Sequence, residues 1–241
     1  MWSICKKDLR QFFSGLAGYV AIIAFLLLNG LMLFVFRDSN ILDDGYASLE
    51  NYFALAPWVL LLLIPAVTMR LFADEWKAGT IEILRTSPLR GYQIVGGKYL
   101  SALIVVILAL LPTLIYIVTI KSLEAGNVPL DTGGILGSYI GLGFLCAAFT
   151  ALGTWCSSFT NSAIIAFLGS AFGCFILFSG FNSLSKLPGF SGGADYYLAM
   201  LGMDFHYQNI SRGVLDSRDI LYFASLVFFF LFLTQRRLLK K

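Results

Sequence analysis

The chain has 241 residues, 58% of them apolar and 13% charged, with a formal net charge of +3 and a mean hydropathy of +0.80. One soluble core of this length cannot hide that much apolar surface, which excludes an ordinary water-soluble domain and places the chain in a bilayer. The small basic excess needs only anionic lipid headgroups as its counterpart, so no nucleic-acid partner is implied.

A helix crosses the hydrocarbon with about 20 largely apolar residues, and stretches free of Asp, Glu, Lys and Arg mark the candidates. Residues 1–13 read as an interfacial helix, with Trp2, Cys5, Leu9 and Phe12 or Phe13 on one side and Lys6, Lys7 and Arg10 toward headgroups. The apolar run behind them is too long for a signal-peptide core and has no A-x-A-like cleavage site after it. Spans are predicted at roughly 16–36, 52–71 and 99–120. The 54 uncharged residues Thr132–Ser185 hold two more, roughly 134–156 and 163–182, joined by a turn at Ser157–Ser162. A sixth, roughly 219–235, is short and lets Arg236 and Arg237 snorkel to the interface. The expected fold class is therefore an all-α integral membrane protein. It has six transmembrane helices in a single domain over residues 1–241, a loop at 72–98 and a polar segment at 183–218.

Basic residues are retained on the cytoplasmic side. With the N-terminus inside, the inner segments carry 12 Lys and Arg against 5 in the outer ones (Arg37, Lys121, Lys186, Arg212 and Arg218), which also hold 10 of the 14 acids. Both termini are expected to be cytoplasmic, and the segment 183–218 outer. Within that segment Tyr196-Tyr197-Leu-Ala-Met-Leu is amphipathic, and either lies at the outer interface or folds back between spans.

Two G-x-x-x-G pairs, Gly137/Gly141 in span 4 and Gly169/Gly173 in span 5, allow close helix approach in lipid and read as intramolecular packing. Pro57 and Pro65 in span 2 and Pro112 in span 3 are expected to bend or locally unwind their helices. Cysteines 5, 146, 156 and 174 form no C-x-x-C pair and read as small apolar residues without a disulfide framework.

Within the uncharged runs of these spans, which are 51–69 in span 2 and 220–235 in span 6, there is no Asp, Glu, Lys, Arg or His. Ion-coupled transport usually keeps a titratable group in the membrane, so self-sufficient secondary transport is disfavoured. An intramembrane serine protease needs Ser and His at matching depth. The sole histidine, His206, lies in the outer segment and is expected at the surface or interface, and Ser170 reads as a packing residue. No H-E-x-x-H, no metal-spaced Cys/His cluster and no G-x-x-x-x-G-K-[ST] occurs, so nucleotide phosphates are not cradled by a P-loop here.

What remains is the loop after span 2, with Arg70, Lys77, Arg85, Arg90 and Lys98 around Asp74-Glu75-Trp76-Lys77-Ala78-Gly79-Thr80-Ile81-Glu82. Asp74 and Glu75 are expected at the start of a short helix, where the dipole favours negative charge. Gly79 gives a break, Thr80 caps a second turn with Ile81, Ile83 and Leu84, and Ser87-Pro88 stops it. Read from physics alone, this is either a force-receiving element or a solvated connector in which Glu82 pairs with Arg85.

The acidic pair, Gly-Thr, Glu two residues on, Leu, Ser-Pro and then Gly97-Lys98 entering span 3 resemble the signature of ABC-2 type permeases. Phe25-Leu-Leu-Leu-Asn29-Gly30, Leu55-Ala-Pro57-Trp58, Leu63-Ile-Pro65 and Leu201-Gly-Met-Asp204-Phe-His206 are similar to the permease of gliding-motility-associated ABC transporters of Bacteroidetes. The resemblance implies a permease subunit of the bacterial inner membrane, with the loop as a coupling helix docking on a separate ABC ATPase subunit. ATP and Mg are then expected on that ATPase, with no cofactor in this chain. It assigns coupling roles, without bond-breaking chemistry, to Asp74, Glu75, Gly79, Thr80, Glu82 and Pro88, the exposed members contacting the ATPase. Further expected partners are a second permease subunit, the same or related, an accessory membrane protein with a periplasmic domain, and membrane lipids. The contrasting class is a structural or force-coupling membrane component that translocates nothing.

Overall fold

The computed structural model describes residues 1–35, 49–86, 89–123, 131–187 and 193–239, and among these all regular structure is helical. The helices in chain order are α1 (Trp2–Ser14), α2 (Leu16–Phe34), α3 (Glu50–Thr68), α4 (Arg70–Lys77), α5 (Ile81–Thr86), α6 (Gly91–Leu110) and α7 (Ile115–Leu123). They continue with α8 (Thr132–Ser157), α9 (Ala163–Phe175), α10 (Phe181–Ser185), α11 (Ala194–Met200), α12 (Met203–Ser211) and α13 (Ser217–Leu239). Five helical stretches are long and apolar enough to cross a membrane, Glu50–Lys77, Gly91–Lys121, Thr132–Ser157, Ala163–Ser185 and Ser217–Leu239, and a sixth is counted if α1 and α2 are taken together.

α8 is the central helix, packed by α3, α6, α9, α12 and α13. It carries the fully buried Leu142, Leu145, Cys146, Phe149 and Ala151, so its neighbours close around it in one apolar core. α2 leans on α3, and α1 turns sharply away from α2 to lie along α6. At that crossing a Cβ on Gly97 would stand 2.8 Å from the Met1 carbonyl, so glycine sets how closely α1 approaches. All four cysteines are free.

The prolines act unequally. At Pro112 the span passes through a short 3₁₀ turn, Leu111–Leu114, before resuming as α7. α3 stays helical through Pro57 and Pro65. Pro57 has no N–H to give the carbonyl four residues back, and the Tyr207 hydroxyl of α12 donates to that Phe53 oxygen at 2.8 Å instead. A π turn at Ile176–Gly180 interrupts span 5.

Candidate functional site

The loop after span 2 is less of a loop than the sequence suggests. Met69 keeps right-handed helical angles, so α4 continues directly from α3. Asp74 and Glu75 therefore stand in the second half of a helix, not at its start, and the dipole argument for them does not apply. Ser157, the last residue of α8, holds this junction: its Oγ accepts from Phe72 N at 3.0 Å and Ala73 N at 3.3 Å and donates to the Met69 carbonyl at 3.0 Å.

Behind α4 lies a buried ionic knot. Lys98 of α6 is 1% exposed, although the sequence placed it at the rim, just outside span 3. Its Nζ donates to the Leu71 carbonyl at 2.6 Å, and meets Glu75 Oε1 at 3.0 Å and Asp8 Oδ2 at 3.3 Å, 5.1 Å from the Phe72 ring centroid. The exposed Lys7 reaches the same Glu75 oxygen at 3.1 Å. Three helices distant in sequence, α1, α4 and α6, thus share one ammonium. Its three contacts satisfy a cation that would be costly to bury alone. Burial pushes the Asp8 carboxyl above its ordinary range, with the Lys98 charge working against that shift. Asp8 lies on the inward face of α1 with Ile4 and Cys5, while Trp2, expected on the apolar side, points out at 62% exposure.

A small second core forms under the tip. Ile4, Phe72, Ile81, Ile94, Val95 and Leu238 are buried together, with Trp76 and Leu84 against them. Ile81 and Leu84 of α5 are therefore turned into the chain. What faces outward is Lys77, Ala78, Gly79, Thr80 and Glu82. Gly79 has φ +69°, a left-handed angle that suits glycine and turns the chain from α4 into α5. The Thr80 hydroxyl donates back to the Glu75 carbonyl at 3.4 Å.

Of the loop residues singled out from the sequence, Gly79, Thr80 and Glu82 are exposed, Asp74 is half-buried, and Glu75 is largely buried in the ionic knot. Pro88 lies outside the described residues. Sequence reasoning missed Asp8 and Lys98. The available signal was a lysine directly after Gly96-Gly97, within a turn of the apolar run it precedes.

The packing glycines divide three to one. Gly137 and Gly141 let α12 settle on α8, since a Cβ at Gly137 would clash with the Ile210 carbonyl and one at Gly141 would press on Tyr207. Gly173 faces Leu152 of α8, whereas Gly169 has nothing within 4 Å.

At the opposite end α12 is folded in against α8, with Met203, His206, Tyr207 and Ile210 buried. His206 is thus not a surface or interfacial residue. It is 3% exposed, stacked on Tyr222 with ring centroids 3.9 Å apart, its Nδ1 2.6 Å from Asp219 Oδ1 and its Nε2 2.9 Å from the Met200 carbonyl. A buried imidazole is stable there because both nitrogens have partners.

The fold and this braced tip define a multi-pass helical membrane protein. Compared with known families, residues 2–190 match the ABC-2 family transporter protein model, and the chain belongs to that family. It is accordingly a permease subunit of an ABC transporter, a membrane transport domain without its own ATPase, and the family implies an ABC ATPase partner. A search of curated proteins gives no match.

Proposed function

We propose that this chain sits in the bacterial inner membrane with both termini inside, and that an ABC ATPase subunit docks on the exposed tip formed by residues 77–80 and Glu82. The observation that carries this reading is how the tip is backed. It projects from α4, and α4 is a continuation of span 2 bonded to α8 through Ser157 and to α1 and α6 through Lys98. A push on the tip therefore moves spans, because no slack segment lies between.

In this mechanism two permease subunits, identical or related, face one another above two ATPase subunits that bind ATP and Mg. ATP-driven closure beneath them displaces each tip, tilting spans 2 and 3 and changing which side of the interface is open. Packed interfaces are bistable, so small displacements suffice. Asp74, Gly79, Thr80 and Glu82 are the contact residues, with Glu75 transmitting the motion inward. The likeness to gliding-motility-associated permeases suggests a motility or secretion role, with an accessory periplasmic-domain protein as a further partner.

Co-purification of the tagged chain with an ABC ATPase, followed by ATP turnover, is the test. Glu82→Lys combined with Lys77→Glu, both at exposed positions, is expected to abolish both while leaving the permease folded. Unchanged association and turnover would overturn the coupling role. A structural component that translocates nothing is the second reading, and it predicts turnover indifferent to any transported substrate in a reconstituted complex.

A further inference from the structure

The end of the bundle away from the α4–α5 tip contains a cavity of about 740 Å³, walled by α3, the start of α8, the end of span 5 and α12. Its charges are unevenly committed. Asp131 accepts from Gly134 N and caps α8, Glu50 stands in the first turn of α3 at the positive end of that helix dipole, and Asp204 Oδ2 accepts from Asn182 Nδ2 at 2.6 Å and Gln208 Nε2 at 3.0 Å. Each carboxylate is thus already held by positive partial charge from the protein. The two cations of the cavity, Lys186 and Arg212, make no ion pair among the described residues. Because Asn182 and Gln208 direct their amide N–H groups to Asp204, their side-chain carbonyl oxygens are left as acceptors. The cavity therefore offers two free cations and two hydroxyl acceptors.

One wall is aromatic. Trp58 lines the cavity, sits edge-on to Phe178 with centroids 5.6 Å apart and lies 6.2 Å from Phe175. From Trp58 an apolar face continues along α3 and α9 through Leu62, Phe175 and Phe172, all well exposed in the chain. The π turn Ile176–Gly180 carries Phe178 and Ser179 into the cavity wall, and such turns are frequent at binding sites. A polar chamber that sets Lys186 and Arg212 beside three hydrogen-bonded or dipole-held carboxylates thus opens onto a strip of exposed aromatic surface.

We propose that this cavity binds an amphiphile whose anionic, hydroxyl-bearing headgroup is held by Lys186 and Arg212, with its acyl chain lying along the Trp58–Phe175 face. A phosphodiester on a polyol has this chemistry: the phosphate meets the two cations, the hydroxyls donate to Asn182 Oδ1 and Gln208 Oε1, and the chain covers Trp58. As a binding site the cavity stands independently of the coupling mechanism. As the place where a transported substrate sits it rests on the permease reading.

The test uses the full chain in uncharged detergent micelles, titrated with dioctanoyl phosphatidylglycerol, dioctanoyl phosphatidylcholine and glycerol 3-phosphate. Tryptophan fluorescence is read against a Trp58→Phe blank. Phosphatidylglycerol is expected to saturate the Trp58 signal at least roughly tenfold more tightly than phosphatidylcholine, and Lys186→Ala with Arg212→Ala to weaken it by roughly tenfold or more. Arg212→Lys keeps most of the affinity, and both exposed sites leave the melting temperature unchanged. Glycerol 3-phosphate, lacking the chain, is expected to bind at least roughly tenfold more weakly than the lipid. Equal binding of the two lipids, indifference to the double substitution, or glycerol 3-phosphate binding as tightly as the lipid would each overturn the proposal. None of these readouts involves ATP, so failure here and failure of the coupling role are separately visible.

Discussion

The two ends of this bundle are built on opposite plans. Around α4 the chain buries charge: one ammonium joins three helices, and a small apolar core fills the space beneath the tip. At the other end the buried His206–Asp219 pair joins only α12 and α13, α12 is otherwise held by backbone-directed hydrogen bonds, Tyr207 to Phe53 and Ser138 to Ser211, and a large polar cavity stays open beside it. The first plan stiffens and transmits, whereas the second leaves room. A lever and a container can coexist in one small domain because α8 touches both ends and keeps a buried face from Gly137 to Ser157.

The sharpest way to break the contrast is at Lys98. Lys98→Met strands the Asp8 and Glu75 carboxylates in a buried site and is expected to cost about 3–5 kcal/mol, read as a lowered melting temperature in detergent. Adding Asp8→Leu and Glu75→Leu recovers much of that loss, because an apolar trio replaces an ionic one. If the single substitution melts like the parent, the knot braces nothing.

The container end responds to volume instead. Gly137→Val drives a side chain into the Ile210 carbonyl and is expected to destabilise by about 1–3 kcal/mol, while Gly169→Val, with nothing within 4 Å, stays within about 0.5 kcal/mol. Differential scanning of the pair separates close packing from general intolerance of span glycines. Tyr207→Phe removes the donor to the carbonyl freed by Pro57 and is expected to cost roughly 1 kcal/mol, with amide exchange rising first in α12.

The smallest effect is a pH dependence at Asp8. Its carboxyl holds a proton more tightly in the fold than in the unfolded chain, so the stability it contributes is complete below its ordinary value and is lost as pH rises through the raised one. The stability difference between the parent and Asp8→Asn is expected to shift in that direction across this window, and a flat difference would remove Asp8 from the account.

Legibility in the sequence tracked locality. The apolar runs, the turn at Gly79 and the unwinding at Pro112 all show in short stretches, and the structure has helices or breaks there. The last span, short by its uncharged run, is nevertheless a full-length helix, since α13 runs from Ser217 past Arg237 to Leu239. From the sequence Glu75 is expected at a helix start, and its burial does not show there because its neighbours in the knot, Lys7, Asp8 and Lys98, come from other segments. His206 looked like a surface residue for the same reason, with Asp219 thirteen positions away supplying its partner.

By itself the sequence determined that this is a helical membrane protein and where its apolar segments run, because transfer into lipid adds up residue by residue within one segment. Only the tertiary structure decided that Lys98 and Asp8 are buried together, that α12 turns inward and that the opposite end stays open. Those outcomes depend on which segments meet, and a charge's partner ninety residues away leaves no mark on its own neighbourhood.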